Sequence, residues 1–157
     1  MNYAMLKKHD ELVGPGARVA LFICGCLHHC NGCLNPKLCD TNYGKVFTGD
    51  VIDSVYRAAN HDYIAGLSIL GGEVFDPASQ PQILKIVQKF KEIYPHKTIW
   101  CFSGYDFEKE MDKLFDKYDS ICVDRNDNIW GKKDGKLIII QKQADEARMI
   151  AEEIVGV

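Results

Sequence analysis

Three closely spaced cysteines constrain the fold of this chain more than any other feature of its sequence. Cys26, Cys30 and Cys33 follow an apolar segment, residues 17–23, with the spacing C-x3-C-x2-C. A short loop with that spacing can turn three thiolates toward one point, and thiolates are the protein ligands of iron–sulfur clusters. A [4Fe–4S] cluster needs four ligands to be closed, so three cysteines leave one iron open, as a catalytic zinc site keeps one position free. The spacing therefore predicts chemistry at an open iron rather than electron storage alone.

The remaining cysteines leave other uses of this loop open. Cys24 or Cys39 could supply a fourth ligand, and four ligands would suit a structural zinc site. Cys101 and Cys122 lie inside predicted strands, where a cysteine usually serves as a small buried side chain. The chain has seven cysteines and no visible export signal. This combination argues against a disulfide framework and favours metal or redox chemistry in a reducing cytosol.

Short apolar segments alternate with amphipathic ones along most of the chain. Apolar runs bounded by glycine are typical of buried strands, and apolar residues at helical spacing are typical of helices. Thr48 and Pro81 mark the starts of the first two predicted helices. Because the alternation has no break in composition and no repeated motif, it predicts right-handed βαβ units, and hence a parallel sheet, in a single domain over residues 1–157. Strands are predicted at residues 17–23, 64–70, 98–102, 120–123 and 137–140, and helices at 50–60, at 81–94, from Asp106 and at 144–155. Residues 1–16 are a lead-in that ends in a turn signal, and a loop is predicted at 126–135.

The length of the chain limits the kind of parallel sheet that it can form. A closed (β/α)8 barrel takes about 250 residues. This chain has 157 residues, which is too few for such a barrel but enough for one domain with a real core. The expected fold class is therefore α/β, with an open and curved partial (β/α) barrel.

Glycines and polar residues follow three more of the predicted strands. In a parallel sheet the carboxyl ends of the strands meet at one edge, where ligands bind, so we expect these residues to lie near the cysteine loop. Two glycines clear space for a ligand, and Glu73 with the strand-end carbonyls can accept hydrogen bonds from an ammonium group. Asp124 is expected either to contact a hydroxyl group of a ligand or to cap a loop, and Ser103 has a turn-and-cap alternative. The residues concerned are Gly71, Gly72 and Glu73 after the second strand, Ser103 and Gly104 after the third, and Asp124 after the fourth.

The composition is typical of a soluble, globular chain. Hydrophobic residues make up 46% and charged residues 26%, and the net charge of -3 gives no electrostatic reason to expect nucleic acid or an anionic membrane as a partner. No apolar segment has transmembrane length and the N-terminus has no secretory h-region, so we expect a cytoplasmic protein. Arg18 is expected on the surface at the start of a strand. His28 and His29 could be metal ligands on general grounds, but we expect them to shield a bound cluster or to meet a partner.

Taken together, these motifs resemble the radical S-adenosylmethionine (radical SAM) superfamily, and within it the activating proteins of anaerobic ribonucleoside-triphosphate reductase. The resemblance depends on the C-x3-C-x2-C loop, on its lead-in at residues 14–22, on Gly-Gly-Glu after a strand, and on Trp100 followed by residues 103–105. It covers roughly residues 10–125 and is most specific at the cysteine loop and at Gly-Gly-Glu.

The resemblance implies a fold, a pair of cofactors and a reaction. The fold would be the open partial barrel of radical SAM type, with one [4Fe–4S] cluster per chain held by the three cysteines of the loop. In the family S-adenosylmethionine binds the open iron, with its amino group at residues 71–73 and its carboxylate or ribose near Ser103 and Gly104. A reduced donor such as flavodoxin would supply one electron, and the S–C5′ bond would break to give a 5′-deoxyadenosyl radical. That radical would take a hydrogen atom from a glycine in the large catalytic subunit of the reductase.

Two departures from the family pattern keep alternatives open. Residues 36–39 stand where the family has a polar and aromatic stretch, and residues 126–141 lack its Gly-Ser-x-Asn-Gln segment. One alternative is an activator of another glycyl-radical enzyme, such as a formate-lyase type, or a nucleoside-modifying radical enzyme. The other is a small iron–sulfur or zinc module that carries electrons or regulates a partner. A fourth cysteine ligand, or zinc without sulfide, would favour this second alternative.

Overall fold

The apolar segments of the sequence form the central strands of one mixed sheet. A computed structural model describes residues 1–33, 35–105, 121–123, 129–133 and 136–141. In that part of the chain the helices are α1 (Gly49–Ala59) and α2 (Gln80–Ile93), with a short 3-10 helix at Pro36–Cys39. The strands are β1 (Asn2–Asp10), β2 (Ala17–Ile23), β3 (Lys45–Val46), β4 (Ile64–Gly71), β5 (Thr98–Phe102), β6 (Ile121–Val123), β7 (Ile129–Lys133) and β8 (Lys136–Gln141). Their order across the sheet is β3-β1-β2-β4-β5-β6-β7-β8.

Four adjacent strands at the centre of the sheet run parallel. β2 pairs with β4, β4 with β5, and β5 with β6, each in parallel register. Most residues of β2, β4 and β5 are buried, which explains why their sequences are nearly continuous apolar runs. The strands predicted at residues 17–23, 64–70 and 98–102 are therefore confirmed, and β6 falls within the strand predicted at 120–123.

Antiparallel strands extend the sheet on both sides of this centre, so the prediction of a purely parallel sheet is wrong. β1 pairs antiparallel with β2 and β3, β7 with β6, and β8 with β7. No strand is predicted in the lead-in at residues 1–16, where β1 lies, and the loop predicted at 126–135 is wrong over β7. Most of β1 is exposed or half-exposed, so it carries polar residues and lacks an apolar run. β7 has the sequence Ile-Trp-Gly-Lys-Lys, in which glycine and two lysines interrupt the strand pattern.

Both helices pack an apolar face on the central strands. Val55 of α1 and Phe90 of α2 belong to one buried cluster with Leu21 of β2. α1 begins directly after Thr48, as the sequence predicts, but the Thr48 side chain makes no capping hydrogen bond. Pro81 lies in the first turn of α2, where its fixed φ suits the helix and its missing N–H is not needed.

Arg18 is buried at the amino ends of the central strands, so the prediction of a surface charge is wrong. Its Nε donates to Ser68 Oγ at 2.9 Å, and one terminal nitrogen donates to the Pro15 oxygen at 3.1 Å. The other terminal nitrogen donates to the oxygens of Leu67 and Thr98 at 3.2 and 2.7 Å. Burial lowers the pKa of Arg18 to about 10, which leaves it charged at neutral pH. The guanidinium thus joins β2, β4 and β5 through neutral acceptors.

The described part of the chain is an α/β fold whose parallel strands end at one edge of a mixed sheet. The cysteine loop, Gly-Gly-Glu and Ser-Gly follow β2, β4 and β5 at that edge. The helices predicted from Asp106 and at 144–155, and the candidate ligand Asp124, lie outside the described residues. Within the described residues, neither helix has the length and apolar character needed to cross a membrane.

Candidate metal centre

The cysteine loop leaves the carboxyl end of β2 and folds against the 3-10 helix. The Cys26 N–H donates to the oxygen of Cys39 at 3.1 Å, which ties the loop to the last residue of that helix. Gly25 turns the chain out of the strand with a φ of 104°, a conformation that glycine adopts readily. This local folding leaves Cys26 half-buried and Cys30 and Cys33 exposed.

A surface cavity of about 460 Å³ lies at the cysteine loop. Cys30 and Cys33 border it, and the thiol of Cys26 lies near enough to that of Cys30 to interact with it. The structure therefore brings two of the three candidate ligands, Cys30 and Cys33, to one cavity, and Cys26 is not among the described residues that border it. The residues that border the cavity are His29, Cys30, Cys33, Pro36, Cys39 and Asp40.

The side chains at this cavity include the thiol donors that an iron–sulfur cluster takes. In the described part of the chain, no three His, Cys, Asp or Glu side chains close around a point where one metal ion could be held. A [4Fe–4S] cluster is a cube with irons at alternate corners, so its ligands surround a volume, and thiolates are the donors that it takes. A cavity bordered by cysteines provides that donor set.

Burial favours the protonated form of the half-buried thiols of this site, Cys26 and Cys39. Burial raises the pKa of Cys26 to about 11, although a hydrogen bond from the His28 N–H acts in the opposite direction. Burial also raises the pKa of Cys39, and the neighbouring Cys33 adds to this effect. Because metals bind the thiolate form, loading of this site has to release protons.

Gly71 and Gly72 bring the end of β4 against the start of the cysteine loop. The Gly72 N–H donates to the Ile23 oxygen at 2.8 Å. The Glu73 N–H donates to the Gly25 oxygen, also at 2.8 Å. A Cβ on Gly72 would lie 2.5 Å from the Gly25 oxygen, and Gly71 has a φ of 104°. The space beside these glycines is thus used by the protein's own cysteine loop.

The carboxylate of Glu73 is the centre of a buried hydrogen-bond network, with only 2% of the residue exposed. Its Oε1 accepts from Ser103 Oγ at 2.8 Å and from the Phe75 N–H at 3.0 Å, and its Oε2 accepts from the Gly104 N–H at 2.8 Å. His28 Nε2 lies 2.7 Å from the same Oε2 and donates to it when that nitrogen carries the ring proton. The network brings together Glu73, Ser103 and Gly104, three of the candidate ligand-binding residues, at the ends of β4 and β5.

His28 is the member of this network that sequence reasoning missed. Its ring packs edge-on against Tyr105, with 4.5 Å between the ring centroids, and a Cβ on Gly104 would lie 2.7 Å from its Cδ2. These contacts fix the imidazole between the cysteine loop and the end of β5. His28 and Glu73 are 45 positions apart, so no local pattern signals their contact.

Comparison with known proteins identifies relatives of this chain. A family model described as a 4Fe-4S single cluster domain matches residues 12–147. The chain is similar to the anaerobic ribonucleoside-triphosphate reductase-activating protein of Enterobacteria phage T4, with 36% identity over 79% of this chain and 80% of that protein. Proteins of the same name from Escherichia coli (strain K12) and Vibrio cholerae are 37% and 36% identical over 69% and 67% of this chain, and over 72% and 69% of their own lengths.

Proposed function

Because the chain belongs to the 4Fe-4S single cluster domain family and to the anaerobic ribonucleoside-triphosphate reductase-activating proteins, we propose that it generates a glycyl radical on the large catalytic subunit of that reductase. It is an activating enzyme of the radical SAM type. The observation that supports this function most is the junction between a three-cysteine loop and the buried Glu73 carboxylate at the carboxyl ends of parallel strands. In such sheets, ligands bind at that edge.

Cys26, Cys30 and Cys33 would hold the [4Fe–4S] cluster at the cavity. When bound and reduced, the cluster supplies one electron to the sulfonium of S-adenosylmethionine, which then yields methionine and a 5′-deoxyadenosyl radical. The exposure of Cys30 and Cys33 supports this assignment, because a site at the surface is accessible to S-adenosylmethionine and to an electron donor such as flavodoxin.

Residues 71–73 and 103–104 would bind S-adenosylmethionine beside the cluster, and Asp124 is proposed as a contact of its ribose. Glu73 and the strand-end carbonyls provide acceptors for the ammonium group. A carboxylate offers about four acceptor positions. Protein donors already approach Glu73 from His28, Phe75, Ser103 and Gly104, so a ligand ammonium has to replace one of them. His28 is the donor that comes from the cysteine loop. If the ligand ammonium took the place of the imidazole on Glu73, binding of the ligand would be coupled to the position of that loop.

The parallel strands β2, β4, β5 and β6 support an open partial barrel of the radical SAM type. A partial barrel has an open side that a macromolecular substrate can close. In a chain of 157 residues, a partner that covers the site removes the need for a separate pocket for a small substrate. Closure by the partner also excludes water from the reacting atoms and holds them in near-attack geometry.

The large subunit of the reductase is the proposed partner, and it supplies the glycine that reacts. Leu27 lies inside the cysteine loop with 76% of its surface exposed, three positions before the exposed Cys30. An apolar side chain at that position offers a contact to a protein that covers the loop. Glycine suits the hydrogen transfer because, without a Cβ, it can flatten into a planar radical stabilised by its flanking amides.

The experiment that tests this function measures 5′-deoxyadenosine. The full chain is reconstituted anaerobically with iron and sulfide, reduced and given S-adenosylmethionine, beside the variants Cys30→Ala and Cys24→Ala. The wild type and Cys24→Ala should form the product and Cys30→Ala should not. Addition of the reductase large subunit should then produce the electron paramagnetic resonance (EPR) signal of a glycyl radical. A wild-type chain that carries a complete [4Fe–4S] cluster and forms no product would contradict the proposal.

A further inference from the structure

A fourth cysteine lies at the cavity of the cysteine loop. Cys39 ends the 3-10 helix, and its backbone oxygen accepts from the Cys26 N–H at 3.1 Å. It borders the same cavity as Cys30 and Cys33. Cys24, by contrast, is only 2% exposed and is not among the residues that border this cavity in the described part of the chain. Of the two cysteines that could add a ligand, the geometry therefore favours Cys39.

Cys39 lies at one cavity with two cysteines of the motif, Cys30 and Cys33. The pKa of its thiol is raised by burial and by the neighbouring Cys33, and Cys26 and Cys30 also lie near enough to influence it. In a cubic cluster each iron is equally near to the other three, so a fourth ligand has to lie near all three of the others. Cys39 is the cysteine outside the motif that borders the cavity of Cys30 and Cys33 in the described part of the chain.

We propose that Cys39 is a reserve ligand, which binds the open iron of the cluster while S-adenosylmethionine is absent and leaves the iron when S-adenosylmethionine binds. The inference rests on the proposed function, because it takes a three-cysteine cluster with an open iron as its starting point. The thiol gives its proton to solvent as the sulfur–iron bond forms. It takes a proton back when the amino and carboxylate groups of S-adenosylmethionine replace it. No electron is transferred in either direction.

The position of Cys39 suits a ligand that can be replaced. The residue is half-buried and lies on a 3-10 helix of four residues whose N-cap, Asn35, makes no side-chain capping hydrogen bond. Hydrogen bonds in 3-10 helices have poorer geometry than those in α-helices, so this segment resists a shift less than an α-helix would. A permanent fourth ligand would prevent S-adenosylmethionine from reaching the iron, whereas a replaceable one protects the iron between turnovers.

The test measures how readily the cluster loses its open iron. Mild oxidation with ferricyanide removes an iron that lacks a protein ligand and leaves a [3Fe–4S] cluster, which EPR detects. The full chain, Cys39→Ala and Cys24→Ala are reconstituted anaerobically and oxidised without S-adenosylmethionine, and each signal is divided by the cluster content. The wild type and Cys24→Ala should give a weak [3Fe–4S] signal, and Cys39→Ala a signal several-fold stronger. Equal signals from the wild type and Cys39→Ala would overturn the proposal.

A binding measurement provides a second, independent readout. In Cys39→Ala, S-adenosylmethionine has no ligand to displace, so its effect on the EPR spectrum of the reduced cluster should be half-complete at a several-fold lower concentration. Cys39→Ser keeps the size of the side chain and should behave in the same way, because oxygen is a poorer ligand than sulfur for a cluster iron. An unchanged half-saturation in both variants would overturn the proposal. The oxidation test needs no cleavage of S-adenosylmethionine. A chain that protects its fourth iron through Cys39 but forms no 5′-deoxyadenosine would therefore contradict the proposed function and support ligation by Cys39.

Discussion

His28 Nε2 lies 2.7 Å from Oε2 of Glu73, and this contact joins the cysteine loop to the end of β4. Because Glu73 also accepts hydrogen bonds from Ser103 and Gly104, one buried carboxylate links the segments that follow β2, β4 and β5. Tyr105 packs edge-on against the imidazole and limits its rotation. The geometry of the cysteine loop therefore depends on residues that are not candidate metal ligands.

Replacement of His28 by alanine should weaken the fold and strengthen the binding of S-adenosylmethionine. The variant leaves the buried Glu73 Oε2 without one of its donors, at a cost of about 1–3 kcal/mol in the free energy of unfolding. The ligand ammonium then no longer competes with the imidazole, so the half-saturating concentration of S-adenosylmethionine should fall several-fold. Urea unfolding and EPR titration of the loaded chain measure the two effects. His29→Ala, which alters the exposed neighbour, is the control, and equal effects from both variants would contradict the prediction.

Gly72→Ala should lower the iron and sulfide content of the reconstituted chain. The new Cβ would lie 2.5 Å from the Gly25 oxygen, so the start of the cysteine loop has to move. Overpacking of this kind costs about 1–3 kcal/mol, and here it would also displace the neighbouring Cys26. Gly49→Ala is the matched control, since nothing lies within 4 Å of a Cβ at that position. Equal loading of the two variants would show that the contact between β4 and the loop does not shape the site.

Arg18→Lys should destabilise the fold although it keeps the charge. A lysine ammonium lacks the planar fork of the guanidinium and cannot reach Ser68 and the three backbone oxygens together. We expect a loss of about 1.5–3 kcal/mol in the free energy of unfolding, the range for hydrogen bonds to charged groups. Urea unfolding of the cluster-free chain measures it. Arg57→Lys, on the exposed side of α1, should change the same quantity very little, and a similar loss there would contradict the argument.

Tyr56 should make the folded state sensitive to alkaline pH. Burial raises the pKa of its hydroxyl to about 12, and the nearby Asp53 and Glu92 add to this effect. In the unfolded chain a tyrosine titrates near about 10, so the folded state holds the proton more tightly. Its contribution to stability is complete below about pH 10 and is lost as the pH rises through about 12.

The variant Tyr56→Phe isolates this alkaline effect. Between about pH 9 and about pH 11 the free energy of unfolding should fall more steeply in the wild type than in Tyr56→Phe, because phenylalanine has no proton to release. Tyr63→Phe, which alters a tyrosine with 62% of its surface exposed, should keep the slope of the wild type. Parallel slopes in the wild type and Tyr56→Phe would contradict the assignment.

The sequence predicts the elements in which burial is nearly uniform. β2, β4 and β5 are covered on both faces, so apolar residues occupy almost every position, and their bounds can be read from the sequence. β1 is largely exposed, so its lysines and histidine interrupt the apolar pattern that would predict a strand. Its pairing with β2 in the folded sheet shows that it is one. The position of Arg18 is predicted wrongly for a related reason. Its charge predicts an exposed side chain, whereas in the fold its terminal nitrogens donate to backbone oxygens, whose positions a sequence does not reveal.

The candidate site likewise has one part that the sequence predicts and one part that it does not. The strand-end motifs can be expected to meet because the ends of parallel strands share one edge of the sheet. The contact between His28 and Glu73, and the approach of Cys39 to Cys33, arise where loops fold back, and no spacing rule connects those positions. Sequence reasoning therefore locates the chemistry of this edge but not the hydrogen bonds that shape it.

Arg18 and Glu73 bind the same three strands from opposite ends. Arg18 joins β2, β4 and β5 at their amino ends, and Glu73 joins the segments at their carboxyl ends. Because hydrogen bonds join the three strands near both ends, sliding of one strand past its neighbours would break bonds at the amino ends and at the carboxyl ends together. The alignment of the segments that follow these strands is therefore set in part by an arginine at the far end of the sheet.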